Sequence, residues 1–350
     1  MDKLDFVKLE LSDLNDLVNC IKGNDFRVTK SPHNQVKDEF NKFVKREISE
    51  RRKNSSITSL RTFHNEIKRV LIENVSRLFN FVNLLDIAVG RGGDISKWKS
   101  AGIKNVFGFD KSRDSIESIN PFNQGARERL RNFKDIKVNV KFETGDAIQP
   151  SKELMESISS FMKINEIKAF EILSCQFAVH YFFQSETALR NVFNTFSPLV
   201  KQGGYFIGTT VDGKKIIELL QRESRFDSPL LNITKKYKSL NPRLKYNNQY
   251  TFKINDSFDQ GNYFNTMGES TEYLVDIPEL IKVAKEYNFE PMFVNFFEQV
   301  PGQKGVYSKS DNFISFQEIY QRKYTGLQLS QEELPINNLY TTFVFKKIPN

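Results

Sequence analysis

The residues most able to do chemistry sit in the run DIAVGRGGD at 86–94, where three glycines lie between two carboxylates. It follows the apolar segment Phe81, Val82, Leu84, Leu85 and precedes a helix expected from Ile95, so it reads as a strand ending in a glycine turn. Gly90, Gly92 and Gly93 let the backbone turn sharply and approach a ligand where a Cβ would collide. Asp86 stands at the strand's carboxyl end, the edge at which open α/β sheets bind ligands. The spacing G-x-G-G is neither the dinucleotide G-x-G-x-x-G nor a P-loop. Taken alone, the turn fits a nucleoside site and a purely structural strand-to-helix bend equally well. Asp110 ends the next apolar run about 20 residues later, where an acid accepts hydrogen bonds from ribose hydroxyls. Asp146 ends the third run, within reach of an adenine amino group. Each aspartate by itself is more readily a helix N-cap or an exposed strand end. Together with the glycine turn they describe an adenosine ligand without a pyrophosphate, held in an electronegative pocket, and S-adenosyl-L-methionine with its cationic sulfonium has that chemistry.

The elements that must position these groups follow from periodicity. Between Ser56 and Phe79, Ile57, Leu60, Phe63, Ile67, Leu71 and Val75 recur every three or four residues, which predicts an amphipathic helix. The runs at 105–110, 138–146, 170–181 and 203–212 are strand-like and alternate with helical stretches. That rhythm predicts a mostly parallel sheet with crossover helices, an α/β fold with its site along one sheet edge. It breaks in a polar stretch at about 222–268, read as an inserted lobe, before YLVDIPELIKVAKEYNF, a helix with Pro278 near its start. PMFVNFF at 291–297 and YTTFVFKKI at 340–348 read as closing strands. Residues 1–54 read as a charged extension ending in the basic cluster Lys45, Arg46, Arg51, Arg52, Lys53, equally a solvated helix face and an RNA-backbone contact.

Composition narrows the class. The 350 residues carry a net charge of +8, which suits an anionic partner such as nucleic acid. Cys20 and Cys175 cannot build a disulfide framework, and neither a C-x-x-C nor a His cluster offers a zinc site, so no metal is expected. Acids inside the first residues argue against a signal peptide, and no apolar run reaches the roughly 18 residues a membrane span needs. An intracellular, reduced setting is expected.

Four motifs in order, DIAVGRGGD, CQFAVHY at 175–181, GGYFIGTT at 203–210 and EYLVDI at 272–277, resemble the messenger RNA cap guanine-N7 methyltransferases. The resemblance covers about residues 55–350, and the texture of CQFAVHYFF, TTVDGKK and TEYLV is most similar to the methyltransferase module of capping enzymes from large cytoplasmic DNA viruses. It implies a Rossmann-like class I SAM-dependent methyltransferase: a mostly parallel sheet with an inserted lobe and an antiparallel C-terminal strand. It further implies a cofactor site of Asn65, Lys68, Asp86, Gly90, Arg91, Gly92, Asp110, Asp146 and Gln176, with Lys68 on the cofactor carboxylate, Asp110 on the ribose and Asp146 on the adenine. His180, Tyr181, Glu272 and Tyr340 would line the guanine pocket. Read singly, Lys68 is a surface residue of an amphipathic helix, His180 and Tyr340 are core packing, and Glu272 bonds nearby backbone.

The implied reaction asks little of acid–base chemistry. The N7 lone pair of neutral guanine is already available, so no general base is expected. Glu272 would accept guanine's imino and amino protons and favour the positive product, with S-adenosyl-L-homocysteine released. Arg91, Lys97, Lys99 and the basic extension would meet the cap triphosphate and RNA backbone. The implied partner is capped RNA, GpppN at its 5′ end, with no membrane; triphosphatase and guanylyltransferase domains in the same polypeptide and an activating subunit stay open. A viral source would place it in the host cytoplasm or virion. Two departures stand out: Ala88 and Arg91 occupy positions of a glycine and a lysine in the cellular pattern, and Val211 replaces a proline beside the guanine wall. The alternative from another class is a catalytically silent RNA-binding or scaffold subunit of a capping complex, which loss of the glycine turn, Asp110 or Glu272 would have favoured.

Overall fold

The computed structural model describes residues 32–133, 137–221, 223–238, 245–256, 269–292, 313–322 and 326–349. The chain divides into two compact units, Met1–Lys53 and Asn54–Asn350. The first contributes helix α1 (Pro32–Asn54), on which the basic cluster 45–53 falls; proline at its first position needs no N–H partner there.

The second unit is built on a seven-stranded sheet: β1 (Asn83–Ile87), β2 (Asn105–Asp110), β3 (Asn139–Thr144), β4 (Phe170–Gln176), β5 (Val200–Val211), β10 (Phe289–Pro291) and β11 (Tyr340–Lys347). Their spatial order is β10-β11-β5-β4-β1-β2-β3. The pairs from β5 through β3 are parallel, whereas β11 runs antiparallel to both β5 and β10. Strand order reverses between β1 and β4, the crevice where such sheets bind ligands at their carboxyl ends. This is the expected α/β architecture with its antiparallel C-terminal strand. Of the run 291–297, residues 293–297 lie outside the described residues.

Period-two alternation divides the core between the two sheet faces. Leu84, Val106, Ile172 and Ile207 point to one face, packed by Leu60, Phe63 and Ile67 of helix α2 (Thr58–Ser76) and Trp98 of α3 (Ile95–Ser100). Leu85, Phe107, Leu173 and Phe206 point to the other, covered by Phe161 of α6 (Lys152–Ile164) and Phe193 of α8 (Glu186–Phe196). Each fully buried phenylalanine is worth about 2–3 kcal/mol by area. Side-chain caps start these helices: Ser151 accepts from Leu154 N–H and Ser185 from Ala188 N–H. Two short helices, α4 (Arg113–Glu117) and α5 (Ala126–Asn132), fill the β2–β3 connection. At Gly208 of β5 an added Cβ would lie 1.9 Å from the Cys175 carbonyl oxygen and 2.4 Å from the Phe343 ring, so no side chain fits the seam between the parallel and antiparallel halves.

A second sheet, four-stranded and antiparallel, takes three strands from the segment read as an inserted lobe, β6 (Arg225–Asp227), β7 (Leu231–Lys235) and β8 (Gln249–Ile254), and its fourth, β9 (Ser270–Tyr273), from just beyond it. Beyond it comes α10 (Ile277–Glu286), capped by Asp276 with proline in its first turn. Two hydrogen bonds tie the second sheet to the elements of the first, and a third extends its own β8–β9 ladder. Leu274 N–H donates to Asn248 O within the second sheet, while Asn247 N–H donates to Phe183 O and Gly213 N–H, just beyond β5, to Val275 O. At Gly213 a Cβ would sit 2.5 Å from that carbonyl, so this stitch also requires glycine.

Candidate active site

The glycine turn closes the carboxyl end of β1 with three residues in left-handed conformation: Ala88 at φ 60°, Gly90 at 55° and Gly92 at 71°. Glycine adopts this freely; Ala88 does so at a cost of about 1–2 kcal/mol. A Cβ on Gly92 would come within 2.9 Å of Ile95 Cδ1. Asp110 fastens the turn to the neighbouring strand. Its Oδ2 accepts from Gly90 N–H at 2.8 Å and its Oδ1 from Ser112 N–H at 2.8 Å. Burial raises the Asp110 pKa, against the opposing pull of these two amides and Arg91.

Beneath the turn lies a buried ionic network. Asp94 Oδ1 is 2.8 Å from Lys68 Nζ and 2.7 Å from Lys97 Nζ. Burial alone would raise the Asp94 pKa, but the two ammonium groups outweigh it and hold the carboxylate ionised. Lys97 Nζ also donates to Asn65 Oδ1 at 2.9 Å and to Gly93 O at 3.0 Å, and burial lowers its pKa. Asp86 is 2% exposed, and its Oδ1 has no hydrogen-bond partner among the described residues. Burial and the nearby Asp94 charge push its pKa well up. Asp146 follows β3 and caps its own loop, accepting from Ile148 N–H at 2.8 Å, with Lys111 Nζ 2.8 Å from its other oxygen. At the end of β4, Gln176 donates to Ser174 Oγ at 3.3 Å and accepts from Thr209 Oγ1 at 3.2 Å.

Position corrects one sequence expectation. Lys97 is 5% exposed, because α3 turns it toward Asp94, so it does not face an RNA phosphate; Lys99 on the same helix is exposed. Arg91 is likewise buried. Its guanidinium meets the Asp114 carboxylate and donates to Asn123 O at 2.7 Å, pinning the α4–α5 segment.

The second half of the site is assembled from remote segments. β4 stops at Gln176, and the motif CQFAVHY turns, so that His180 and Tyr181 sit on α7 (Val179–Phe182) rather than on a strand tail. Between them Phe177 is held at φ 58°, a left-handed conformation costing a bulky residue on the order of 1–3 kcal/mol. Its ring lies 5.6 Å from Lys68 Nζ, stacks on His64 at 5.6 Å and meets Tyr340 edge-on at 5.1 Å. His180 is 4% exposed, with burial lowering its pKa, so the imidazole is neutral. Neither ring nitrogen has a hydrogen-bond partner among the described residues; Glu272 Oε1 is 3.8 Å from Nε2. Glu272, on β9, is also buried. Its Oε2 accepts from Tyr250 O–H at 2.7 Å and its Oε1 from Ser270 O–H at 2.9 Å. Tyr181 is 39% exposed with its ring 4.2 Å from that of His180, and Tyr340 is buried directly across from Val211.

The structure thus brings Asn65, Lys68, Asp86, Gly90, Gly92, Asp110 and Gln176 to one edge beside His180, Glu272 and Tyr340. Phe177, Tyr250 and Thr209 join the site unannounced by the sequence, and Asp94 takes a part that its place in the glycine turn does not specify. Only Asp94 had a local signal, as the second carboxylate of the glycine turn. The donor set fits an adenosine carrying an amino-acid tail: a lysine for a carboxylate, an acceptor-rich edge for ribose and amine, and an orphaned Asp86 oxygen. Among the described residues no group of three His, Cys, Asp or Glu has metal-binding geometry, and no helix is long and apolar enough to cross a membrane.

Comparisons agree with this chemistry. The mRNA cap guanine-N(7) methyltransferase 1 of Arabidopsis thaliana is 28% identical over 334 residues, covering 91% of this chain and 82% of that protein. The mRNA cap guanine-N(7) methyltransferase of Saccharomyces cerevisiae is 27% identical over 316 residues, 84% of this chain and 65% of that protein. Among solved structures, an S-adenosylmethionine-dependent methyltransferase from Clostridium acetobutylicum shares 13% identity over 83% of this chain and 92% of that one, at a TM-score of 0.46, a likeness too loose to bear on any residue of the site. Residues 24–348 match the mRNA (guanine-N(7))-methyltransferase domain, beginning inside the segment read above as an extension. With the glycine turn, the buried His180–Glu272 pair and this match over nearly its whole length, the chain belongs to the mRNA (guanine-N(7))-methyltransferase family.

Proposed function

We propose that the chain methylates N7 of the 5′ cap guanine of messenger RNA and does so by positioning, with no general acid or base. S-adenosyl-L-methionine, when bound, supplies a methyl group on a sulfonium sulfur. Lys68 and Asn65 would hold its amino-acid end, with Asp86, Gly90 and Gly92 lining the turn, Asp110 taking the ribose, Asp146 the adenine and Gln176 the adjoining wall. Arg91 acts from behind, by fixing the α4–α5 segment.

The observation that carries the substrate assignment is the pairing of Glu272 with a neutral, buried His180. A carboxylate has about four lone-pair directions. Tyr250 and Ser270 take two of them, which leaves two acceptors for guanine's imino and amino protons, a pair that adenine does not offer. His180 keeps one N–H and one lone pair for the remaining polar edge of the base. Tyr181 and Tyr340 supply faces for the ring, with Val211 backing Tyr340. Because the N7 lone pair is free in neutral guanine, alignment is the main demand, and orientation of this kind is worth about 7–11 kcal/mol in favourable cases. The residual charge of Glu272 favours the cationic product. Capped RNA is the substrate in this reading, with the basic residues of α1 and exposed Lys99 adding salt-dependent affinity for its backbone. Ala88 and Arg91, in place of the cellular glycine and lysine, keep a viral origin within the proposal.

The test is transfer of labelled methyl from S-adenosyl-L-methionine to guanosine-capped and adenosine-capped RNA of the same sequence. Label is expected on the guanosine cap alone. Equal labelling of both would overturn the assignment of Glu272, and labelling of neither by the full chain would favour a silent RNA-binding subunit.

A further inference from the structure

Thr209 has no role in the reading above, yet it is fully buried where the two halves of the site meet. It lies on β5, paired with Gln176 in the parallel register of β4 and β5. Its hydroxyl serves two neighbours at once. It donates to Gln176 Oε1 at 3.2 Å and accepts from Phe177 N–H at 3.1 Å. The same Phe177 N–H also donates to the Thr209 carbonyl oxygen at 2.9 Å. The hydroxyl's remaining freedom is therefore small: its proton goes to one side chain and its lone pair to the next residue's backbone.

Each partner governs one side of the site. With its carbonyl fixed by Thr209, the Gln176 amide places its nitrogen on the opposite side, where one N–H donates to Ser174 Oγ at 3.3 Å, so the group's orientation, which an unconstrained amide could reverse, is set. With its N–H bound twice, Phe177 is held in its left-handed conformation, and its ring stands between Lys68 on one side and Tyr340 on the other. We infer that Thr209 is a positioning residue that sets, through one hydroxyl, both the Gln176 amide of the cofactor site and the Phe177 ring shared with the guanine pocket. This rests on the assignment of those two pockets made above.

The hydroxyl can be removed without stranding a backbone donor, because Phe177 N–H keeps the Thr209 carbonyl. Thr209→Val has the same shape, and Thr209→Ser restores the hydroxyl. Affinity for S-adenosyl-L-homocysteine, measured by calorimetry on the full chain, is expected to fall about tenfold in Thr209→Val, the scale of one net hydrogen bond. KM for the guanosine cap is expected to rise with it, and Thr209→Ser should recover both to within about threefold. Should Thr209→Val not fold, Thr209→Ala removes the same hydroxyl. Gln176→Ala is measured alone and combined with Thr209→Val. Positioning through Gln176 requires the combined loss in affinity to be smaller than the product of the two single losses. Independent, multiplicative losses would overturn the inference, as would wild-type affinity in Thr209→Val. If the unaltered chain binds S-adenosyl-L-homocysteine yet methylates no cap, the substrate assignment fails while the Gln176 arm of this test still stands.

Discussion

The two halves of the site are finished in opposite ways. On the cofactor side, the polar groups largely satisfy one another: Asp94 between two lysines, Lys97 with three acceptors, Asp110 fastened by two amides. On the side proposed for guanine, His180 is buried with both nitrogens unpartnered among the described residues, beside a carboxylate whose two hydroxyl partners leave acceptors over. A pocket that neutralises itself is rigid before a ligand arrives. A pocket with open polar groups has a cost of desolvation that a complementary base can recover, and that is how a site gains selectivity.

Breaking each half should therefore hurt differently. Glu272→Ala is the most damaging change expected. Methyl transfer to the guanosine cap should fall about 10³-fold while affinity for S-adenosyl-L-homocysteine stays within about threefold; equal losses in both would erase the division. Lys97→Met attacks the self-satisfied half. It leaves Asp94 paired with Lys68 alone and strips Asn65 Oδ1 and Gly93 O of their donor, a loss of about 1–3 kcal/mol, measured as a lower urea midpoint. Cofactor affinity should weaken with it, and cap KM should move less.

A third test lies in the wall between the halves. Burial lowers the His64 pKa from 6.5 to about 3, so the folded protein keeps it neutral where the unfolded chain protonates it. Below pH 6.5 the unfolded state binds one more proton, so stability falls by about 1.4 kcal/mol per pH unit until about pH 3. His64→Phe should flatten that slope between pH 6.5 and 5 in urea titrations, and an unchanged slope would place the titrating group elsewhere. The smallest effect belongs to Ala88→Gly. Relief of the left-handed alanine, less the greater chain entropy glycine loses on folding, should leave about 0.5 kcal/mol of added stability.

The same contrast governs what could be read in advance. The cofactor edge is written locally. The glycine turn, Asp110 and Asp146 each end a short apolar run, and strand β2 falls on the very residues, 105–110, that alternation marks. The burial of Lys97 is not legible in the sequence because α3 is a single six-residue helix, too short for periodicity to reveal which side it buries. The guanine side is written in tertiary structure. Glu272 meets Tyr250 across 22 residues of an antiparallel pairing, and Gly213 stitches that strand to β5 through Val275. No local pattern announces such a junction, so His180, Glu272 and Tyr340 were found through the ordered motifs of a family. The turn at Phe177 is not legible at all, since nothing in the string CQFAVHY announces a left-handed phenylalanine.

That phenylalanine carries a thermodynamic consequence. Its ring borders Lys68 and Tyr340 at once, so any ligand that settles the ring from one side alters the surface met from the other. In the proposed reading two ligands share that ring, and linkage is reciprocal: whatever factor a bound methyl donor gives to cap affinity, a bound cap must return to the donor. On that reading the affinities for the spent donor and for the methylated cap are coupled, joined through one aromatic ring.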